Sequence, residues 1–130
     1  MKIKNLLEYD IVGKEKNIPS VDMPLSLFEM ATISSKRSGI DLKIWTSQKR
    51  GSHGPRVKVT KVGEQLTNSN SCSVTISDSP EIVAGNIKII STSQFKELKK
   101  WIVLNKDVLI KLWNHGYEDS GDFLEDIKKL

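Results

Sequence analysis

Cysteine occurs once in 130 residues, as Cys72. A single thiol excludes a disulfide framework within the chain and suits a reducing compartment. Its neighbours, Ser71 and Ser73, supply no base, so the residue reads as packing rather than as a nucleophile. Long apolar runs are absent as well. The start, Met1 to Asp10, places Lys2 and Lys4 before Leu6 and Leu7, but Glu8 and Asp10 end the run after two leucines. No secretory signal and no membrane span is expected, and the chain reads as cytoplasmic. Aromatic residues make up 6% of the chain, too few for a base-stacking platform. Also missing are a glycine-rich phosphate loop, Cys/His spacing for zinc, paired carboxylates and a Ser/His/Asp order. No cofactor and no metal is expected.

Charge is present and unevenly spread. The net charge is +4, yet residues 36–61 hold eight cations against Asp41 alone, a net of +7. Residues 118–126 hold five acids and no cation. Such a dipole attracts phosphate or acidic protein surface at one end and repels it at the other. The candidate binding residues are Lys36, Arg37, Lys43, Trp45, Lys49, Arg50, His53, Arg56 and Lys58.

The centre of the basic region is Ser52-His-Gly-Pro-Arg-Val-Lys-Val59. Gly54-Pro55 is a turn signal, and the alternation after it predicts a strand with Val57 and Val59 inward and Arg56 and Lys58 outward. Ile40 to Trp45 alternates likewise, with Ile40, Leu42 and Ile44 inward and Trp45 outward as a contact anchor. The strand after Gly54-Pro55 is read as Arg56–Val62, followed by a turn at Gly63. Asn68–Ser71 reads as a flexible tip, Val74 and Ile76 as a short strand, and residues 81–90 as two extended pieces around Gly85-Asn86.

After Ser91 the period changes. Phe95, Leu98, Trp101 and Ile102 predict a helix with Ser93 as N-cap. Asn105 interrupts it and is placed to cap a second helix through Val108, Leu109, Leu112 and Trp113, ending near Gly116. Ser120 is placed to cap a short helix bearing Phe123, Leu124, Ile127 and Leu130. Residues 1–9 fit a short helix and residues 10–24 an irregular arm. Residues 26–33 fit a helical turn, with Ser26 as N-cap, or a strand. The expected fold is α+β: an antiparallel sheet of four or five strands with the C-terminal helix pair on one face. One domain is expected, with residues 1–31 as an arm, 32–116 as core and 117–130 as an acidic helix.

The segments His53-Gly-Pro-Arg-Val-Lys-Val59, Ile82-Val-Ala-Gly85 and Trp101-Ile-Val-Leu-Asn-Lys-Asp-Val-Leu-Ile-Lys-Leu-Trp113 occur in that order. In this the chain resembles a small bacterial family of unknown function whose members often lie in mobile or toxin–antitoxin-like gene pairs. Its pattern is His-x-Pro-His-x-His-Val, then a glycine turn, then a Trp-Ile…Leu-x-x-x-Trp helix pair. The resemblance covers residues 32–116. Three histidines on a strand and its entry turn can hold a metal or move protons, but here the second and third are Arg56 and Lys58, which do not ligate.

Two functions follow from this reading. The first is a non-catalytic binding or inhibitor protein of phage or mobile-element type. It would engage a nucleic acid, or a nucleic-acid-handling complex such as an RNA-guided nuclease in an anti-defence role, through the basic strand–turn surface. The second is a toxin-like, metal-independent ribonuclease with His53 as base and Arg56 and Lys58 stabilising the transition state; its second proton-transfer group would have to be His115.

Overall fold

The computed structural model describes residues 30–49 and 51–130. The expectations for residues 1–29, including the N-terminal helix and the Ser26 cap, lie outside the described residues, as does Arg50. From Ala31 to Leu130 the chain forms one compact unit.

Five strands form an antiparallel sheet in chain order: β1 (Met30–Ile33), β2 (Lys43–Ser47), β3 (Arg56–Thr60), β4 (Cys72–Thr75) and β5 (Ile82–Gly85). The α+β architecture is as expected. β3 is central and paired on both edges: Ile44 and Val74 flank its Val59 and Val57. Ile44, Val57, Val59, Cys72 and Val74 are completely buried and form the inner face. Burial raises the pKa of the Cys72 thiol, which keeps it protonated and inert.

Several boundaries differ from expectation. Ile40 and Leu42 are buried as predicted, but β2 begins only at Lys43. A single helical turn, α1 (Ser35–Ser38), precedes it and ends on Gly39 at φ 84°. β3 stops at Thr60, and Ile76 follows β4 rather than belonging to it. The extended piece expected after Gly85-Asn86 is a 3-10 turn, Ile87–Ile89, because the Asn86 side chain accepts from Lys88 N and caps it. The tip at residues 67–71 is held by its own side chains: Asn70 Oδ1 accepts from Thr67 N and Oγ1, and Asn70 Nδ2 donates to Gln65 O.

Three helices follow: α2 (Thr92–Leu104), α3 (Lys106–Trp113) and α4 (Ser120–Asp126). Leu98, Trp101 and Ile102 of α2, Leu109 and Leu112 of α3 and Phe123 of α4 join the inner sheet residues in one core. The acidic helix is thus part of the fold, anchored by a fully buried Phe123. Two of the three expected caps are corrected, and the third, Asn105, stands at the N-cap position of α3 as expected but without a side-chain cap bond. Ser91, not Ser93, caps α2, in a reciprocal pair with Gln94. Asp119, not Ser120, caps α4, where a carboxylate also suits the helix dipole. Asn105 makes no side-chain cap to α3. Its amide reaches the C-terminal segment instead, donating to Lys128 O and accepting from Lys128 N. Leu130 lies beyond α4 and donates its N–H to Ser38 O.

Tyr117 joins α3 to α4. Its ring packs edge-on against Phe123, Lys111 Nζ lies 4.3 Å over it, and its hydroxyl donates to Asp126 at 2.7 Å. Burial, then the Asp126 hydrogen bond and the charges of Asp126 and Asp122, push the phenol up to about 12. A raised folded-state pKa means that this contribution is intact below pH 10, the ordinary phenol value, and is lost as pH rises toward 12. Ultraviolet titration in a Tyr9→Phe background should show ionisation well above the free-phenol midpoint, with stability falling across the same window. A midpoint at the ordinary value would show that the clasp is not formed.

Candidate nucleic-acid interface

Register decides which cations meet. Trp45 lies directly opposite Lys58, Lys43 opposite Thr60, Arg56 opposite Thr75 and Lys58 opposite Ser73. Residues opposite one another share a face, so Lys43, Trp45, Arg56 and Lys58 occupy the face turned away from the helices. Each is half-buried, its stem along the sheet. Trp45 is fixed there: its indole N–H donates to Thr60 Oγ1 at 3.2 Å, and Lys43 Nζ sits 4.4 Å over its ring. One ring face therefore already carries a cation, which disfavours base stacking and favours a contact role beside phosphates.

The sequences of β1 to β5 contain no acidic residue. Among the described residues Arg56 makes no ion pair, and its Nε is buried without an acceptor. A guanidinium in that condition gains from an oxyanion at its outer nitrogens, where bidentate contact is available.

The remaining candidates are dispersed. Lys36 is exposed on α1, and Arg37 beside it donates from Nη1 to Leu124 O in the acidic helix at 3.2 Å. Arg37 thus tethers α4 rather than joining the sheet face. Lys49 is exposed, but its backbone N–H donates to Trp113 O at 2.9 Å, which docks the β2–β3 loop on the end of α3. His53 lies in the same loop. Its Nδ1–H donates to Gly54 O at 2.8 Å, and its ring lies 5.6 Å from that of Trp113. His115 stands two residues past Trp113 at φ 60°, with its N–H on Leu112 O while Gly116 N–H reaches Lys111 O. That is a Schellman end with histidine in the left-handed position where glycine is usual. Both histidines thus attend the end of α3, and no hydrogen bond joins them. The packing of His53 and Lys49 on Trp113 had no signal in the sequence, since nothing local ties residue 49 to residue 113.

Among the described residues no three His, Cys, Asp or Glu side chains gather in a metal-binding group, and no helix is long and apolar enough to cross a membrane. No protein-family model matches this chain, and no curated protein or solved structure matches it. The resemblance in residues 53–59, 82–85 and 101–113 therefore rests on those residues alone.

Proposed function

We propose that this protein is a non-catalytic module that binds the phosphate backbone of a nucleic acid, free or within a nucleic-acid–protein complex, through the outer sheet face. The observation that carries this reading is the convergence of Lys43, Arg56 and Lys58 around Trp45, on strands that contain no acid. Three cations placed by a rigid sheet suit sequence-independent contact with phosphates. In a phage or mobile-element setting, the same face would serve an inhibitor that occupies the nucleic-acid channel of a defence nuclease.

Binding of labelled single- and double-stranded oligonucleotides, measured against salt, tests the proposal. Three phosphate contacts predict that log K falls with log salt at a slope of about −3 on duplex and about −2 on single strands. Arg56→Glu/Lys58→Glu should weaken binding by about tenfold or more and flatten the slope by about two. Lys36→Glu, on α1 and outside the strands, should change it little. Binding that ignores salt and survives the double reversal would refute the reading.

The ribonuclease alternative requires His53 to work with Arg56 and Lys58. His53 instead rests on Trp113 of α3, whereas Arg56 and Lys58 point away from the helices. RNA incubated with the wild type should stay intact; cleavage lost in His53→Ala would favour the enzyme.

A further inference from the structure

The geometry points to the groove between α2 and the β4–β5 connection as a docking site for a segment of another protein that carries a bulky apolar residue beside a carboxylate. The groove encloses about 670 Å³. Residues 78–81 line one side, and Lys99, Lys100, Val103 and Leu104 of α2 line the other. None of the cations of the outer sheet face belongs to it. The wall at residues 78–81 is held in place. Thr75 N–H donates to Glu81 O and Glu81 N–H donates to Thr75 Oγ1, each at 2.9 Å. Lys106 Nζ, at the start of α3, meets Asp78 at 2.9 Å. A wall ordered before binding lowers the entropic cost of docking.

The helix wall sets the chemistry of the occupant. Leu98, Trp101 and Ile102 of α2 are buried in the core, yet Val103 and Leu104 are 47% and 44% exposed. Spacing of four residues puts Val103 one turn beyond Lys99 and Leu104 one turn beyond Lys100. One face of the helix therefore offers an apolar step beside a cationic step. A leucine- or phenylalanine-sized side chain gains by covering the first, and a carboxylate one turn away gains from the second. Among the described residues neither lysine makes an ion pair, although Lys99 Nζ lies 4.8 Å over the Phe95 ring. On the opposite wall Lys106 answers Asp78, which leaves Glu81 to turn an incoming carboxylate toward α2. A small molecule needs a cavity that buries most of its surface, whereas a protein segment brings surface of its own to cover an open groove. The comparable acidic–apolar run of this chain, residues 122–126, is closed to this use because Phe123 is completely buried.

Terminally blocked hexapeptides titrated into the nitrogen-15-labelled full chain test this, and because they carry no phosphate the outcome is independent of the proposed function. The probe is Ser-Asp-Glu-Leu-Phe-Ser. Its amide form is Ser-Asn-Gln-Leu-Phe-Ser, its truncated form Ser-Asp-Glu-Ala-Ala-Ser and its basic form Ser-Lys-Lys-Leu-Phe-Ser. The probe should bind with a Kd on the order of 100 µM and move the amide resonances of residues 78–81 and 99–104. The amide and truncated forms should each bind about tenfold more weakly. Lys99→Glu/Lys100→Glu should weaken the probe by about tenfold and bring the basic form to within about threefold of the original affinity. Val103→Ser/Leu104→Ser, both at exposed positions, should remove binding while circular dichroism stays unchanged. The inference is overturned by a probe that moves no resonance at about 5 mM, by one that moves those of β2 and β3 instead, or by an amide form that binds equally well.

Discussion

Asn105→Ala is expected to lower the free energy of unfolding by about 2 kcal/mol, read from urea melts followed by circular dichroism. Asn105 is 0% exposed and sits between α2 and α3. Its Nδ2 donates to Trp101 O at 3.1 Å and to Lys128 O at 2.9 Å, and its Oδ1 accepts from Lys128 N at 2.7 Å. Alanine strands the N–H and C=O of Lys128, whereas the Trp101 carbonyl keeps the backbone N–H of residue 105. A stranded buried group costs about 1–3 kcal/mol, and Lys128 is an exposed residue, so the two groups together stay near the lower end, at about 2 kcal/mol. Asn105→Leu keeps the branched shape but is larger and leaves the same orphans, so it should be destabilised at least as much. Asn105→Asp keeps the acceptor, loses both donors and buries a charge, so it should be worse. Deleting residues 127–130 provides the control. Without Lys128 most of the amide's partners are gone, and Asn105→Ala should then cost about 1 kcal/mol. Strictly additive costs would show that the amide does not hold the C-terminal segment.

Gly85→Ala should be at least as damaging, at about 4 kcal/mol, with β5 lost from the sheet. Gly85 has φ 94°, a conformation that L side chains rarely adopt. A Cβ there would also lie 2.3 Å from Ser71 O and 2.7 Å from Cys72 Cα. Both are backbone atoms where the adjoining strand begins, and Gly85 is paired with Cys72, so neither side can yield without breaking the ladder. Gly63 separates the two contributions. Its φ is 88°, but a Cβ would meet nothing within 4 Å. Gly63→Ala should therefore show the conformational cost alone, about 1 kcal/mol. Amide exchange should localise the Gly85→Ala effect, with protection lost at residues 72–75 and 82–85 before the helices. Equal costs for the two substitutions would refute the steric argument.

Some of the misread caps were legible. Ser91 has Gln94 three residues on, the spacing of a reciprocal capping pair, whereas Ser93 lacks it. Asp119 and Ser120 are both good caps, and the choice between them turned on where the chain enters α4. Asn105 is different. An asparagine between two helical stripes looks like a cap because local hydrogen bonds are all that a local reading can weigh. Besides Trp101 O four residues back, its side chain is bound to Lys128, 23 residues away.

The period-two patterns at Ile40–Ile44 and Arg56–Val59 were decided by the sequence itself. Burying alternate apolar residues leaves the intervening ones on the other face whatever the strand pairs with. The sheet-then-helices order, the buried stripes of α2 and α3 and the separation of basic from acidic segments follow from the sequence for the same reason: each depends on neighbours within a few residues. Only the tertiary structure decided which cations act together. Strand register placed Lys58 between Trp45 and Ser73, and with that Lys43, Arg56 and Lys58 on one face. Long-range docking drew Arg37 to Leu124 and His53 to Trp113, away from that face. Equal charges in one stretch of sequence thus received different roles, because register and docking are set by the packing of the whole core.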